Sequence, residues 1–133
     1  MAWLNWEKRT VLYTPSTYTA NVVDGVLNVA AGDIVGLILV RTVVAFNGTN
    51  SNAVFELGDS GDVDRFVDGG ELDEHTAGNF VRAIGATGGG YILYRTHLYT
   101  AADTIDVNFT ADTGANGTAG RVEITAYIAK VRP

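Results

Sequence analysis

Hydrophobic and polar residues alternate along two stretches near the C-terminal end of the chain. Between Thr104 and Thr110, the apolar residues Ile105, Val107 and Phe109 take every second position. The segment Arg121 to Val131 repeats the pattern, with apolar residues on one face and polar or aromatic residues on the other. A period of two is typical of a strand with one face on a core and one in water. We therefore predict a strand in each stretch.

The rest of the chain divides into further short apolar runs separated by glycine, asparagine and aspartate. The pair Asp24-Gly25 has the composition of a type I′ turn, which predicts a hairpin. In the long run Ile34 to Phe46 apolar side chains occupy both faces, which indicates a strand buried in the middle of a sandwich or against a neighbour. The further predicted strands are Lys8 to Tyr13, Tyr18 to Val23, Val26 to Ala30, Ile34 to Phe46, Ala53 to Leu57, Phe80 to Ile84 and Tyr91 to Thr100.

Eight or nine short strands at this spacing predict an all-β fold, an antiparallel β-sandwich. The favoured topology is a jelly roll, and a partly open barrel is the alternative. With 133 residues, 47% of them hydrophobic, the chain has the size of one domain. We expect an N-terminal arm and first strand over residues 1–15, and a single β-sandwich domain over residues 16–133.

The charge of the chain is concentrated in one segment. The net charge is −6. The segment from Glu56 to Glu74 contains eight acidic residues and one basic residue, Arg65. Phosphate contacts need clustered basic side chains, so nucleic acid is not an expected partner. The most apolar run, Ile34 to Phe46, has 13 residues and contains Arg41, so the sequence does not predict a membrane-spanning segment.

The acidic segment contains the sharpest local motif, in which Asp59, Asp62 and Asp64 surround Gly61. Calcium prefers such oxygen-rich loops, although the spacing is not that of an EF-hand. The alternative, which we favour, is that these aspartates bond the backbone of their own turn while Arg65 pairs with one of them. We therefore predict no bound cofactor and keep calcium at the three aspartates as a secondary hypothesis.

No set of residues in the chain has the spacing of a catalytic site. There is no cysteine, and His75 and His97 stand in separate segments without the spacing of a zinc site. Neither a nucleophile elbow nor a phosphate-binding glycine loop is present. We expect a protein that is not an enzyme.

Large apolar residues crowd the N-terminus, where Trp3, Leu4 and Trp6 precede the first predicted strand. Chain ends are ordered only when they dock on something. These side chains either fold back over the core of the sandwich or insert into a partner as anchors.

Three segments carry a resemblance to a known family. The aliphatic run from Ile34 to Thr49 is followed by FELGDSGDVDRF, from Phe55 to Phe66, and later by YTAADTIDVNFT, from Tyr99 to Thr110. This order of motifs resembles small structural proteins encoded among the virion genes of tailed bacteriophages.

The resemblance implies a virion component made in the cytoplasm of a bacterial host. The first candidate is a capsid decoration or cement protein. It would bind the major capsid protein and would also bind itself, as an oligomer and often as a trimer. The anchors would then be Trp3, Leu4 and Trp6. The alternative is a receptor-recognition or carbohydrate-binding domain of a tail or fibre, which would use Tyr91, Tyr94, Tyr99 or the acidic loop.

Overall fold

The structure is a computed structural model, and it describes residues 3–83 and 97–132. Within these ranges the chain forms nine β-strands and no helix, so none of the described residues belongs to a helix that could cross a membrane. The strands are β1 (Trp3–Tyr13), β2 (Val22–Val29), β3 (Asp33–Val44), β4 (Val54–Asp59), β5 (Asp62–Val67), β6 (Phe80–Ala83), β7 (His97–Leu98), β8 (Asp103–Thr110) and β9 (Arg121–Arg132).

The strands form two antiparallel sheets. The five-stranded sheet has the order β1-β9-β3-β6, with the short β7 also paired to β3, and the four-stranded sheet has the order β2-β8-β4-β5. Successive strands from β1 to β4 pass from one sheet to the other, as do β8 and β9. The prediction of an antiparallel β-sandwich is confirmed, and the strand order is compatible with a jelly roll.

The core lies between the sheets and is filled by the side chains that the alternation assigns to the inner face. Ile105, Val107 and Phe109 of β8 are buried, as the pattern of that strand predicts. The inward side chains of β9 are fully buried and meet those of β3 and β4. They are Val122, Ile124, Ala126 and Ile128 in β9, Val35, Ile38 and Val40 in β3, and Phe55 and Leu57 in β4.

The predicted hairpin turn at Asp24-Gly25 is wrong, because β2 runs through both residues. Asp24 lies opposite Val107 and Gly25 opposite Asp106, and the ladder with β8 shifts register only after Gly25. The Asp24 carboxylate accepts hydrogen bonds from the Tyr13 hydroxyl (2.7 Å) and from Ser16. Pairing with a strand that is distant in sequence, together with these bonds, outweighs the local preference of Asp-Gly for a turn.

The first strand begins earlier than the pattern predicts. β1 pairs with β9 without a break from Trp3, opposite Arg132, to Tyr13, opposite Val122. The backbone of Trp3 to Trp6, expected to form a separate arm, is therefore the first part of an edge strand of the five-stranded sheet.

The acidic segment from Gly58 to Asn79, predicted to be a long loop with a short strand, holds β5, which forms a hairpin with β4. In the predicted strand Tyr91 to Thr100, only His97 and Leu98 are seen as a strand, and residues 84–96 lie outside the described part of the chain.

Candidate assembly surface

The outward side of the five-stranded sheet carries a set of exposed apolar side chains. Residues directly opposite one another in an antiparallel ladder project to the same face. Leu12 lies opposite Glu123, Glu123 opposite Arg41, and Arg41 opposite Phe80, so the four form one row across the sheet. Because Glu123 is on the strand face away from the buried Ile124, this row faces outward.

A second outward row lies at the other end of the same sheet. Trp6 is opposite Ala129, Ala129 opposite Ile34, and Ile34 opposite Leu98. Between the two rows lie half-buried side chains of the central strands β3 and β9. We call this side the outer apolar face and define it by Trp6, Leu12, Ile34, Leu37, Leu39, Phe80, Leu98 and Tyr127.

Several side chains of the outer apolar face are unusually exposed for their size. The exposed fraction is 59% for Leu12, 67% for Phe80, 52% for Leu98 and 48% for Trp6. Beside Phe80 a groove of about 330 Å³ is lined by Leu39, Arg41, Glu123 and other residues of the central strands. Exposed apolar side chains gathered on one face make that face a candidate surface for binding another molecule.

Trp6 lies against the sheet rather than free in solvent. A Cβ atom built on Gly36 would stand 2.5 Å from Cη2 and 2.7 Å from Cζ3 of the Trp6 indole. The ring therefore crosses over Ala129, which is fully buried although it faces outward. Trp6 thus folds back on the outside of its own sheet, not over the core, and still leaves about half its surface to solvent. The side chains of Trp3 and Leu4 lie outside the described part.

The outer apolar face accounts for the two-sided apolar pattern of β3. Val35, Ile38 and Val40 point into the core and are fully buried, whereas Ile34, Leu37 and Leu39 face outward and are half-buried. The sequence predicted a strand buried inside a sandwich or against a neighbour. Among the described residues, the second sheet covers the inner half of the strand, and the side chains of the outer half are half-buried.

The opposite surface of the sandwich is acidic. Glu56 of β4 lies in an outward row with Asn108 and Val23, and carboxylate oxygens of Glu56, Asp64 and Asp68 lie within 4.8 Å of one another. A hydrogen bond with the Asp62 carboxyl, together with the surrounding negative charges, raises the pKa of Asp64 to about 6. The molecule therefore has an apolar side and an acidic side.

Asp59, at the end of β4, is the most heavily bonded carboxylate of the motif. Its side chain is 2% exposed. It accepts hydrogen bonds from the backbone N–H groups of Gly61 and Asp62 (both 3.0 Å), from Nε of Arg65 (2.6 Å) and from the Tyr99 hydroxyl (2.8 Å). The expectation that Arg65 pairs with an aspartate that also closes its own turn is confirmed.

This bonding determines the ionisation of the Asp59 side chain. Burial alone would raise the pKa of Asp59, but the hydrogen bonds from Arg65 and Tyr99 outweigh it and hold the pKa below its usual value. Burial and the bond to Asp59 together raise the pKa of Tyr99. The cluster formed by Asp59, Arg65 and Tyr99 connects the β4–β5 turn to the segment that follows β7. Its role is therefore structural.

The structure does not bring Asp59, Asp62 and Asp64 together as ligands for one ion. Both Asp59 oxygens are occupied by donors, and Asp64 lies instead with Glu56 and Asp68. Among the described residues, that second group is the one with three carboxylate oxygens close enough to share an ion.

The described residues do not supply the predicted tyrosine platform for sugars. Tyr99 is 4% exposed, and its ring packs at 4.6 Å against His97 within the Asp59 cluster. Tyr91 and Tyr94 lie outside the described residues. His75 and His97 stand in different surroundings, and neither belongs to a group of three possible metal ligands in the described part of the chain.

Sequence reasoning identified Trp6 but missed Leu12, Phe80 and Leu98. Each is a single apolar residue on a different strand, and only the ladder register brings them to one face. The available signal was the apolar outer half of β3, which already pointed to a neighbour on that side of the sheet.

Comparison with known proteins adds information about the fold. Neither a protein-family model nor a curated protein sequence matches the chain. Three solved structures are similar. A chain of the cyanophage Pam1 capsid asymmetric unit has a TM-score of 0.66 and 14% identity, with 97% of this chain and 86% of that chain covered.

The other two similar structures are also capsids. A chain of the acidic stable capsid of Helicobacter pylori bacteriophage KHP30 has a TM-score of 0.64 and 9% identity, with 99% of this chain and 97% of that chain covered. A chain of the capsid of Ralstonia phage GP4 has a TM-score of 0.64 and 12% identity, with 98% and 86% covered. At these identities the likeness establishes a shared fold over nearly the whole chain.

Proposed function

We propose that this protein is a structural component of a bacteriophage virion that decorates the capsid shell. The observation that carries the proposal is the fold, which is similar over 97 to 99% of the chain to chains of three phage capsids. The virion motifs of the sequence point the same way. The protein acts by binding, and the described residues contain no constellation that suggests an enzyme.

The size of the similar chains favours decoration over the role of the main shell protein. The match covers 86 to 97% of each of them, so those capsid chains are themselves about as small as this one. The tail-recognition alternative has less support, because Tyr99 is buried and cannot stack on a sugar.

The outer apolar face is the side that meets the shell in this proposal. It offers Trp6, Leu12 and Phe80 as half-exposed or exposed anchors, and the ion pair of Arg41 with Glu123 (3.5 Å) leaves its centre close to neutral. In protein interfaces a few side chains, among which Trp, Tyr and Arg are enriched, carry most of the binding energy. The acidic side would then face solvent.

The proposal is tested by binding the purified protein to capsids that lack it and measuring co-sedimentation. We expect Leu12→Ser and Phe80→Ser each to weaken binding about tenfold or more, since truncated anchors cost ~1 to 2 kcal/mol or more. Val23→Ser is the matched control, because Val23 is 64% exposed on the acidic side. Equal loss of capsid binding in all three variants, or in none, would contradict the assignment of the outer apolar face as the capsid-binding side.

Self-association is a further part of the expectation from the resemblance, which implies an oligomer, often a trimer. A trimer would show three times the 14.1 kDa mass of the monomer in solution.

A further inference from the structure

Among the described strands, β1 has the longest unpaired edge. This strand lies at one end of the five-stranded sheet, and no described strand pairs with its outer edge. Its 11 residues pair with β9 without a register shift. The other edge strands are shorter or irregular, because β6 has four residues, β5 has six and a register shift, and β2 has a bulge.

A long regular edge is a template for another strand, because its backbone N–H and C=O groups lack partners. Proteins usually protect such edges with proline, with bulges or with charges. β1 contains no proline and no bulge, and its charges Glu7, Lys8 and Arg9 stand together at its centre. The order of these charges decides what can bind.

We propose that β1 pairs with β1 of a second copy, antiparallel and centred on Lys8, so that the two five-stranded sheets join into one across a two-fold axis. In this register the whole strand is used, and Trp3 lies opposite Tyr13 of the second copy. Glu7 lies opposite Arg9 of the second copy, and by symmetry Arg9 lies opposite Glu7. The inference is independent of capsid binding.

The register follows from the faces and the charges. Trp6, Lys8, Thr10 and Leu12 share the outer face, so a continuous sheet requires even-numbered residues to lie opposite even-numbered ones. Shifting the centre by one residue either way places Glu7 opposite Glu7 or Arg9 opposite Arg9. Among the registers that keep the outer faces on one side, only the one centred on Lys8 makes two opposite-charge pairs, and it does so at full overlap.

The charged side chains are free to make these contacts. Glu7 is exposed and has no ion-pair partner among the described residues. Arg9 donates from Nη1 to the carbonyl oxygen of Asn28 (2.6 Å), which leaves other guanidinium donors for a carboxylate. The two Lys8 side chains meet at the axis and repel each other. This one repulsion weakens the contact, but the two attractive pairs of Glu7 with Arg9 outnumber it.

The contact also extends the outer apolar face. In the same register Trp6 lies opposite Thr10 of the second copy, on the outer side of the joined sheet. The apolar faces of two molecules would therefore join into one surface across the axis. A two-fold dimer of this kind differs from a trimer, the oligomer that proteins of the resembling family often form, so the two expectations give different masses.

Mass measurement on charge variants tests the pairing. We expect the unmodified protein to reach twice its 14.1 kDa monomer mass with rising concentration. Glu7→Arg and Arg9→Glu each turn two attractions into two repulsions, so each alone should weaken dimerisation at least tenfold.

An equimolar mixture of these two variants restores the attraction. The first variant carries a positive charge at both positions of the pair and the second a negative charge at both, so opposite charges face each other across the axis. The mixture should therefore form heterodimers. Mixtures that stay monomeric, or an unmodified protein that is monomeric or trimeric, would overturn the proposal.

Cross-linking tests the register independently, since the chain has no cysteine of its own. Opposite residues of antiparallel strands have Cα atoms ~4.5 to 5.5 Å apart, within the range of a disulfide. Lys8→Cys should therefore form a covalent dimer on mild oxidation. Thr10→Cys is the matched control on the same face, because the two Thr10 positions would be offset by four residues, or ~13 Å. Equal cross-linking of both variants, or none with Lys8→Cys, would contradict the register.

Discussion

At the scale of single residues, Asp59 explains why an acidic motif stands at the end of a buried strand. Its carboxylate satisfies two backbone N–H groups of the β4–β5 turn, the Arg65 guanidinium and the Tyr99 hydroxyl. The close approach of the turn also excludes a side chain at Gly58, whose Cβ would overlap the carbonyl oxygen of Asp62. The motif therefore stabilises the turn between β4 and β5.

Replacing Asp59 should destabilise the fold. In Asp59→Asn the partly buried Arg65 loses its counter-ion, and we expect a loss of about 2 to 3 kcal/mol in the free energy of unfolding. Because the pKa of Asp59 is held below its usual value, its contribution is present above about pH 4 and is lost as the pH falls through the lowered pKa. Denaturant unfolding at pH 7 and pH 3 measures both effects.

Asp62→Asn is the control for this experiment. Asp62 is exposed in the same turn, and its backbone N–H, which bonds Asp59, is unchanged by the substitution. We expect no loss of stability in this variant. A loss of stability as large as that of Asp59→Asn would show that the turn is sensitive to any substitution. That result would contradict the specific role of Asp59.

Asp64 should have the opposite effect on stability. Its pKa of about 6 lies above the ordinary value, so ionisation costs the folded state stability as the pH rises towards and through 6. Asp64→Asn should therefore raise the unfolding temperature at pH 8, and the gain should vanish near pH 4, where Asp64 is already protonated. Thermal unfolding between pH 4 and pH 8 tests this.

The control for Asp64 removes the same charge elsewhere in the acidic segment. Glu71→Gln lies outside the group of Glu56, Asp64 and Asp68, and its amide oxygen can still accept from the backbone N–H of Asp68. We expect a much smaller effect of pH in this variant. Equal gains in both would assign the effect to the net charge of the molecule rather than to the local group.

At the scale of strands, the alternation of apolar and polar residues correctly predicted which face of a strand is buried. The buried faces of β8 and β9 follow directly from the period of two, because one side of each strand meets the core. The turn at Asp24-Gly25 was predicted from local preference and failed, since the pairing of β2 with β8 depends on residues far away in sequence. The start of β1 was missed for the same reason, because its partner is at the other end of the chain.

The candidate surface was predictable only in part. Trp6 stands out in the sequence because tryptophan near a chain end needs an explanation. Leu12, Phe80 and Leu98 do not stand out, since single apolar residues at protein surfaces are common. Their meaning depends on the pairing of several strands in one sheet, which periodicity does not determine.

At the scale of the molecule, the two sides of the sandwich differ in chemistry. The outer apolar face would be buried against the shell, and the acidic side, which repels like-charged surfaces, would remain in solvent. Dimerisation through β1 would leave this division intact, because the joined sheets present their outer faces to the same side. If the protein decorates a capsid as proposed, this difference would set the direction in which it attaches.

The most direct test of the central claim is immunogold electron microscopy of the phage particles that carry this protein, with antibody raised against the folded domain. Because the acidic side should remain accessible on the shell, we expect gold label distributed over the heads. Label confined to tails, or no label on intact particles, would contradict the proposal that the protein decorates the capsid.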